Sequence, residues 1–261
     1  MPPETALRSA SRIVAVIPAR LASTRLSRKV LREIAGQPML AWVYRAARAC
    51  SQLDKVLIAT DSDEVMAFAR DSGFDAMLTP ADCASGTDRI HFIAQGVPAE
   101  IYVNVQGDEP LLRPEHIDAL LRPLLQHSAG RPEVLVSTLA TPCAPAQIAN
   151  PNAVKVVTAS DGRALYFSRA TIPFDRDQTG QVSFRKHVGL YAYRRAALDR
   201  FPTLPTSALE TAERLEQLRF LENGIDIYVE PTPYDTIGVD TEEDRLAVEA
   251  ILLQGLPLPG N

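Results

Sequence analysis

Ile13-Val14-Ala15-Val16-Ile17-Pro18-Ala19-Arg20 decides the fold. Its first five residues are apolar without interruption, so both sides of the pleat must be covered, as in a parallel sheet packed between helices. The same pattern returns at 55–60, at 101–105 and at 134–139, with a shorter run at 75–78. Helical periodicity fills the intervals at 39–50, from 60 through Ala69, at 87–94 and at 114–126. Strand and helix alternating in this way predict an α/β fold: a doubly wound, mostly parallel sheet over the first two-thirds of the chain.

Beyond Asn150 the pattern changes. Residues 154–158 and 163–167 flank Ser160-Asp161-Gly162, a turn tripeptide between β-type runs, which predicts a hairpin. A strand at 187–193 follows, then one long helix over 207–222 stopped by Asn223-Gly224. Strands at 225–230 and 236–239 and a helix at 242–252 close the chain. The organisation expected is a loose leader at 1–12, then a single domain at 13–261 with an inserted antiparallel arm at about 165–205.

Composition narrows the classes. The chain has 261 residues, 46% hydrophobic and 23% charged, enough for a full core. A net charge of −5 offers nucleic acid no broad attraction, so an anionic ligand needs a local basic cluster. No apolar run is long enough to span a membrane. The cysteines, Cys50, Cys83 and Cys143, are scattered and odd in number. That argues against a disulfide framework and points to a reducing, cytoplasmic setting.

Three clusters carry chemistry. After the first strand, Arg20, Arg25, Arg28 and Lys29 occur with no acidic residue before Glu33. A loop at the carboxyl end of a parallel strand is where ligands bind, and several fixed cations suit a polyphosphate. Neither a P-loop nor a G-x-G-x-x-G pattern is present, which disfavours ATPases and dehydrogenases. The second cluster, Asn104-Val105-Gln106-Gly107-Asp108-Glu109-Pro110, sets a carboxylate beside a glycine at a strand end. It reads equally as a hard-cation ligand or as a turn cap. In the third, Gly238-Val239-Asp240-Thr241, either Asp240 or Thr241 is a candidate N-cap for the last helix. Two strand-end aspartates converging opposite the basic loop would make a magnesium site.

Together these segments resemble the 3-deoxy-manno-octulosonate (Kdo) cytidylyltransferases. The resemblance rests on Ile17-Pro18-Ala19-Arg20, Ser23-Thr24-Arg25-Leu26 and Lys29; on Ser85-Gly86-Thr87-Asp88-Arg89; and on 104–110. Asn150-Pro151-Asn152, Tyr166-Phe167-Ser168-Arg169, 187–193, Leu215-Glu216-Gln217-Leu218-Arg219 and 238–241 follow in family order. The family's fold is Rossmann-like, of the nucleotide-diphospho-sugar transferase type. Its reaction joins CMP from CTP to Kdo with release of pyrophosphate, for lipopolysaccharide biosynthesis. The resemblance implies nucleotide contacts at Ala19, Arg20, Arg25, Lys29, Ser85, Gly86, Arg89 and Gln106. It implies acid-sugar contacts at Arg169, His187, Tyr191, Glu216 and Gln217, and Mg²⁺ on Asp108 and Asp240. Arg20, Lys29, Asp108 and Asp240 are the expected catalytic set, and a homodimer is implied. Without the family match, Arg169 reads as a surface arginine and His187 as a satisfied strand histidine.

The chain departs from the family at Ser27, Arg28 and Val30, where members generally carry Pro-Gly before the lysine and Pro after it. A different loop shape is expected there, with an added phosphate contact from Arg28. Alternatives from the same residues are a sialic-type or 8-amino acid sugar, another nucleoside triphosphate, and a catalytically silent nucleotide sensor.

Overall fold

The computed structural model describes residues 11–21, 26–83, 85–126 and 133–254. Strand β1 (Ser11–Ala19) leads to a 3-10 turn at Lys29–Leu31 and a small ribbon of β2 (Glu33–Ile34) and β3 (Gln37–Pro38). Then come α1 (Met39–Arg48), β4 (Lys55–Thr60), α2 (Asp63–Asp71), β5 (Ala76–Leu78), α3 (Gly86–Gly96), β6 (Ala99–Asn104), α4 (Pro114–Leu125) and β7 (Val136–Pro142). The remainder is β8 (Lys155–Thr158), β9 (Ala164–Ser168), β10 (Arg185–Arg194), α5 (Arg195–Arg200), α6 (Ala208–Glu213), α7 (Leu218–Glu222), β11 (Ile227–Pro231) and α8 (Glu242–Leu253).

The main sheet runs β11-β7-β10-β6-β1-β4-β5. β1 pairs in parallel with β4 on one side and β6 on the other, while β10 runs antiparallel to both β6 and β7. The winding therefore reverses direction at β1, which opens a crevice at the carboxyl ends of β1 and β6. Ile13, Ala15 and Ile17 face one core with α1 and α4; Val14 and Val16 face another with α3 and α5. Burial on both faces is why these strands carry no polar alternation. A third cluster under α8 joins Leu26, Trp42, Leu111 and Val239.

The doubly wound sheet, the 154–167 hairpin and the Asn223-Gly224 stop appear where expected, with Gly224 at φ 70°. Two expectations fail. The helix expected over 207–222 is two short helices, because Arg214 adopts a left-handed conformation (φ 54°, ψ 46°) that ends α6. The corner is closed by Arg219, whose guanidinium donates to both Glu210 oxygens at 2.8 and 2.5 Å. Residues 236–239 form no strand: the segment is pinned instead by single bonds, from Val239 N–H to the Asp108 carbonyl (2.9 Å) and from Lys186 Nζ to the Thr236 carbonyl (3.0 Å). Of the stretch at 165–205, Arg185–Arg194 enters the middle of the sheet as β10, so the part that runs outside it is split in two, the chain between Ser168 and Arg185 and the helical stretch that begins with α5. Among the described residues no helix is long and apolar enough to cross a membrane.

Candidate active site

The centre lies at the carboxyl ends of β1 and β6. Gly107 turns the chain there, and a Cβ on it would stand 2.9 Å from the Pro18 carbonyl oxygen, so a side chain has no room. This close approach brings Asp108 to the mouth of the crevice. Lys29 enters from the 3-10 turn after β1, and its Nζ donates to Asp108 Oδ2 at 2.6 Å and to Asp240 Oδ1 at 2.9 Å. Burial would depress the Lys29 pKa, but the two carboxylates outweigh it and hold the ammonium above its ordinary value. Asp240 reaches this point because Thr241, not Asp240, caps α8: the Thr241 hydroxyl accepts from Asp244 N–H, and the Asp244 carboxylate takes the Thr241 N–H.

Arg20 follows the buried Ala19 at the end of β1, and among the described residues its buried Nη2 has no hydrogen-bond partner. A guanidinium nitrogen kept from both water and protein acceptors is an incomplete anion site. Gln106 Nε2 donates to Asn104 Oδ1 at 3.2 Å on the same rim. Arg25 lies outside the described residues. Arg28 forms an ion pair with Glu64 in the first turn of α2, so in this structure it is tied to protein.

Ser85 and Gly86 open α3 beside the crevice. The Ser85 hydroxyl accepts from Asp88 N–H at 3.1 Å, and the Asp88 carboxylate accepts the Ser85 N–H at 3.0 Å. Such a capping box stabilises the helix start by about 1 kcal/mol and directs its N-terminus toward the site. Arg89, expected as a base-reading residue, is fully buried beneath this turn. Its Nη2 donates to Asp61 at 2.9 Å and its Nη1 to the Thr79 hydroxyl, tying the ends of β4 and β5 together. In this structure it is a buried brace between the two strand ends.

Next to the crevice lies a cavity of about 220 Å³ lined by Asn104, Gln106, Tyr191, Tyr193, Glu216 and Gln217. Gln217 is buried and its amide nitrogen has no partner among the described residues. Glu216 accepts from the Thr87 hydroxyl, and burial pushes its carboxyl above the usual range. Tyr191 stacks on Tyr193 with centroids 5.8 Å apart. His187 sits behind Tyr191, edge-on to Phe167 at 4.9 Å and 2.9 Å from the Thr138 hydroxyl; burial lowers its pKa to about 3. The break at Arg214 is what turns Glu216 and Gln217 inward, since on one continuous helix they would follow its register.

Arg169 is placed differently. Its guanidinium donates to the carbonyls of Glu213 (2.7 Å), Pro151 (3.0 Å) and Arg214 (3.3 Å). It works as a clasp on the α6–α7 corner. Buried Lys155 does the same for the turn at 150–153, donating to the carbonyls of Asn150, Ala153 and Arg169 at 2.7 to 2.9 Å. Sequence reasoning left out Asn104, Tyr193, Asp61 and Lys155 as individual site or support residues. Asn104 carried a usable signal, a buried amide as the last residue of an apolar strand. Lys155 carried none, because a lysine in a hairpin strand reads as solvated.

Asp108 and Asp240 fit a divalent cation. Their oxygens already surround one positive charge, and they are hard donors of the kind Mg²⁺ accepts alongside water and substrate phosphates.

Comparison with known proteins agrees with this geometry. The family described as Cytidylyltransferase matches residues 14–227. A 3-deoxy-manno-octulosonate cytidylyltransferase of Acidobacterium capsulatum is 66% identical over 246 residues, covering 94% of this chain and 98% of its own. Its counterpart in Koribacter versatilis is 59% identical over 239 residues, with 92% and 89% covered. A solved structure of a CMP:2-keto-3-deoxy-manno-octonic acid synthetase complexed with CTP superposes with a TM-score of 0.88 at 40% identity, covering 94% of this chain and all (100%) of that one. A putative glucose-1-phosphate thymidylyltransferase from Bacillus anthracis, at 12% identity and TM-score 0.65, shares the fold alone. With a sheet that reverses at β1, a lysine held between two strand-end carboxylates and relatives at this identity over nearly its whole length, the chain belongs to the cytidylyltransferase family, in its 3-deoxy-manno-octulosonate branch.

Proposed function

We propose that this protein transfers CMP from CTP to 3-deoxy-manno-octulosonate, releasing pyrophosphate. The observation that carries the reading is Lys29 held at 2.6 and 2.9 Å by Asp108 and Asp240, beside a cavity lined by Gln217, whose buried amide nitrogen has no partner among the described residues. Cation, carboxylate pair and polar cavity are the three parts the transfer needs.

The sugar's anomeric hydroxyl oxygen bonds to the α-phosphorus, and the bond from that phosphorus to the bridging oxygen breaks. Pyrophosphate leaves with the electron pair and the hydroxyl proton passes to solvent. Arg20 and Lys29 bind the phosphates and hold positive charge where the leaving group develops negative charge. Ser85 and Gly86 place the nucleotide against the N-terminus of α3. Tyr191, Glu216 and Gln217 orient the sugar, with His187 and Arg169 supporting them from behind. Asp108 and Asp240 would hold Mg²⁺, which when bound neutralises phosphoryl charge and lowers the pKa of a nearby hydroxyl.

A cytoplasmic homodimer is part of the proposal. Its support is the exposure of Phe174 (82%) and Leu165 (61%) on and beside the segment that leaves the sheet, and three free cysteines. The test incubates the purified chain with CTP, Mg²⁺ and Kdo. CMP-Kdo and pyrophosphate are expected. Product only with a sialic-type acid would move the specificity, and CTP binding without sugar-dependent pyrophosphate would make the chain a sensor.

A further inference from the structure

Arg28 occupies the corner immediately before Lys29 at φ 55°, ψ 35°, a left-handed conformation that disfavours any residue with a Cβ. Glycine would sit there without strain. The arginine side chain reaches α2 and pairs with Glu64, with the two side chains 62% and 42% exposed. α2 follows β4, the parallel neighbour of β1, so the pair bridges two strand ends on the rim where Lys29 and Arg20 lie.

An exposed ion pair of this type is weak and exchangeable. A triphosphate presents several charged oxygens to the same guanidinium, with Lys29 next to it in the chain, and charge-assisted contacts to such oxygens are stronger. We infer that the Arg28–Glu64 pair is an exchangeable latch: Glu64 holds the arginine in the free enzyme, and the triphosphate of CTP takes it over on binding. Glu64 is then an internal competitor for the phosphate site, and Arg28 is a nucleotide-binding residue. The inference rests on the CTP reading given above.

The two partners must act in opposite directions. Calorimetric titration of CTP into the protein separates the cases. Glu64→Gln removes the competitor and should tighten CTP binding about threefold, the size expected for loss of a surface pair. Arg28→Gly keeps the backbone corner and removes the cation, and should weaken CTP binding about tenfold. In the Arg28→Gly background, Glu64→Gln should change nothing further. Weaker CTP binding in Glu64→Gln, or the same gain in both backgrounds, overturns the latch. Wild-type protein that fails to bind CTP overturns the nucleotide reading itself and the latch with it. Both side chains are exposed, so loss of fold does not confuse the result; a melting curve for each variant checks this.

Discussion

Lys29 and Asp108 stand 79 residues apart in the chain and 2.6 Å apart in the fold, Nζ to Oδ2. Asp240 completes the triangle from the far end of the sequence at 2.9 Å. Three segments that share no local structure thus hold one charge. Replacing Lys29 with Ala, or Asp108 with Asn, should lower turnover about a hundredfold, the usual loss for one preorganised charge. Pyrophosphate release measures it, and circular dichroism checks folding. Near-normal turnover in either variant removes that residue from the mechanism.

Gly107→Ala tests the close approach that delivers Asp108. A methyl group at 2.9 Å from the Pro18 carbonyl forces the loop away from β1. A shift of about 1 Å at a reacting group costs about a hundredfold in rate. The expected outcome is a folded protein with Asp108 intact and turnover reduced by that order. Unchanged kcat would show that the loop yields without moving the carboxylate.

Gln217→Ala should raise the KM for the acid sugar about tenfold. CTP affinity should hold, and thermal stability should hold or rise, because a buried donor without a partner among the described residues is removed. A drop in Tm with an unchanged sugar KM would assign the amide to the core instead.

Glu210→Ala leaves the Arg219 guanidinium, which also lies over the Phe201 ring at 4.3 Å, without its carboxylate. Breaking a largely buried pair costs about 3 kcal/mol, readable as a lower urea midpoint. The same change loosens the corner that presents Glu216 and Gln217, so the sugar KM should rise while the CTP KM stays. Equal rises in both would mean that the corner supports the whole site rather than the sugar side.

His187 predicts a pH dependence of stability. Its pKa is lowered by burial from 6.5 to about 3. Between those values the unfolded chain binds a proton that the folded chain refuses. Stability is therefore fully present above pH 6.5 and falls as the pH drops toward 3. One such group contributes at most about 1.4 kcal/mol per pH unit. Urea unfolding at pH 7 and pH 5 should show a smaller loss in His187→Asn than in the wild type; His116, also lowered by burial, supplies part of what remains. Equal losses in both proteins would exclude His187 as a source.

Most of the sheet was readable because burial on both faces leaves an unbroken apolar run, as at Ile13 to Ile17, and its short length and β-branched residues separate it from a buried helix. The hairpin and the end of α7 were readable from Ser160-Asp161-Gly162 and Asn223-Gly224, whose backbone preferences are local. The corner at Arg214 was not, since nothing in arginine favours φ 54°. That conformation is held by Arg169 on the carbonyls of Glu213 and Arg214, contacts from more than 40 residues away, together with the grip of Arg219 on Glu210 across the corner itself. Residues 236–239 carry a β-type pattern, yet their hydrogen bonds go to Asp108 and Lys186 rather than to a ladder.

The site divides in the same way. Local sequence determined which residues are chemically equipped: the cations after β1, the carboxylates at 108 and 240, and the glutamate and amide at 216 and 217. Tertiary structure alone decided which of them act at the surface. It gave the Arg169 guanidinium to three carbonyls and Arg89 to Asp61, tied Arg28 to Glu64, and left a nitrogen each of Arg20 and Gln217 without a partner among the described residues. The reason is physical: a side chain's type is a property of its residue, but whether its hydrogen-bonding groups remain available depends on acceptors brought from distant parts of the chain.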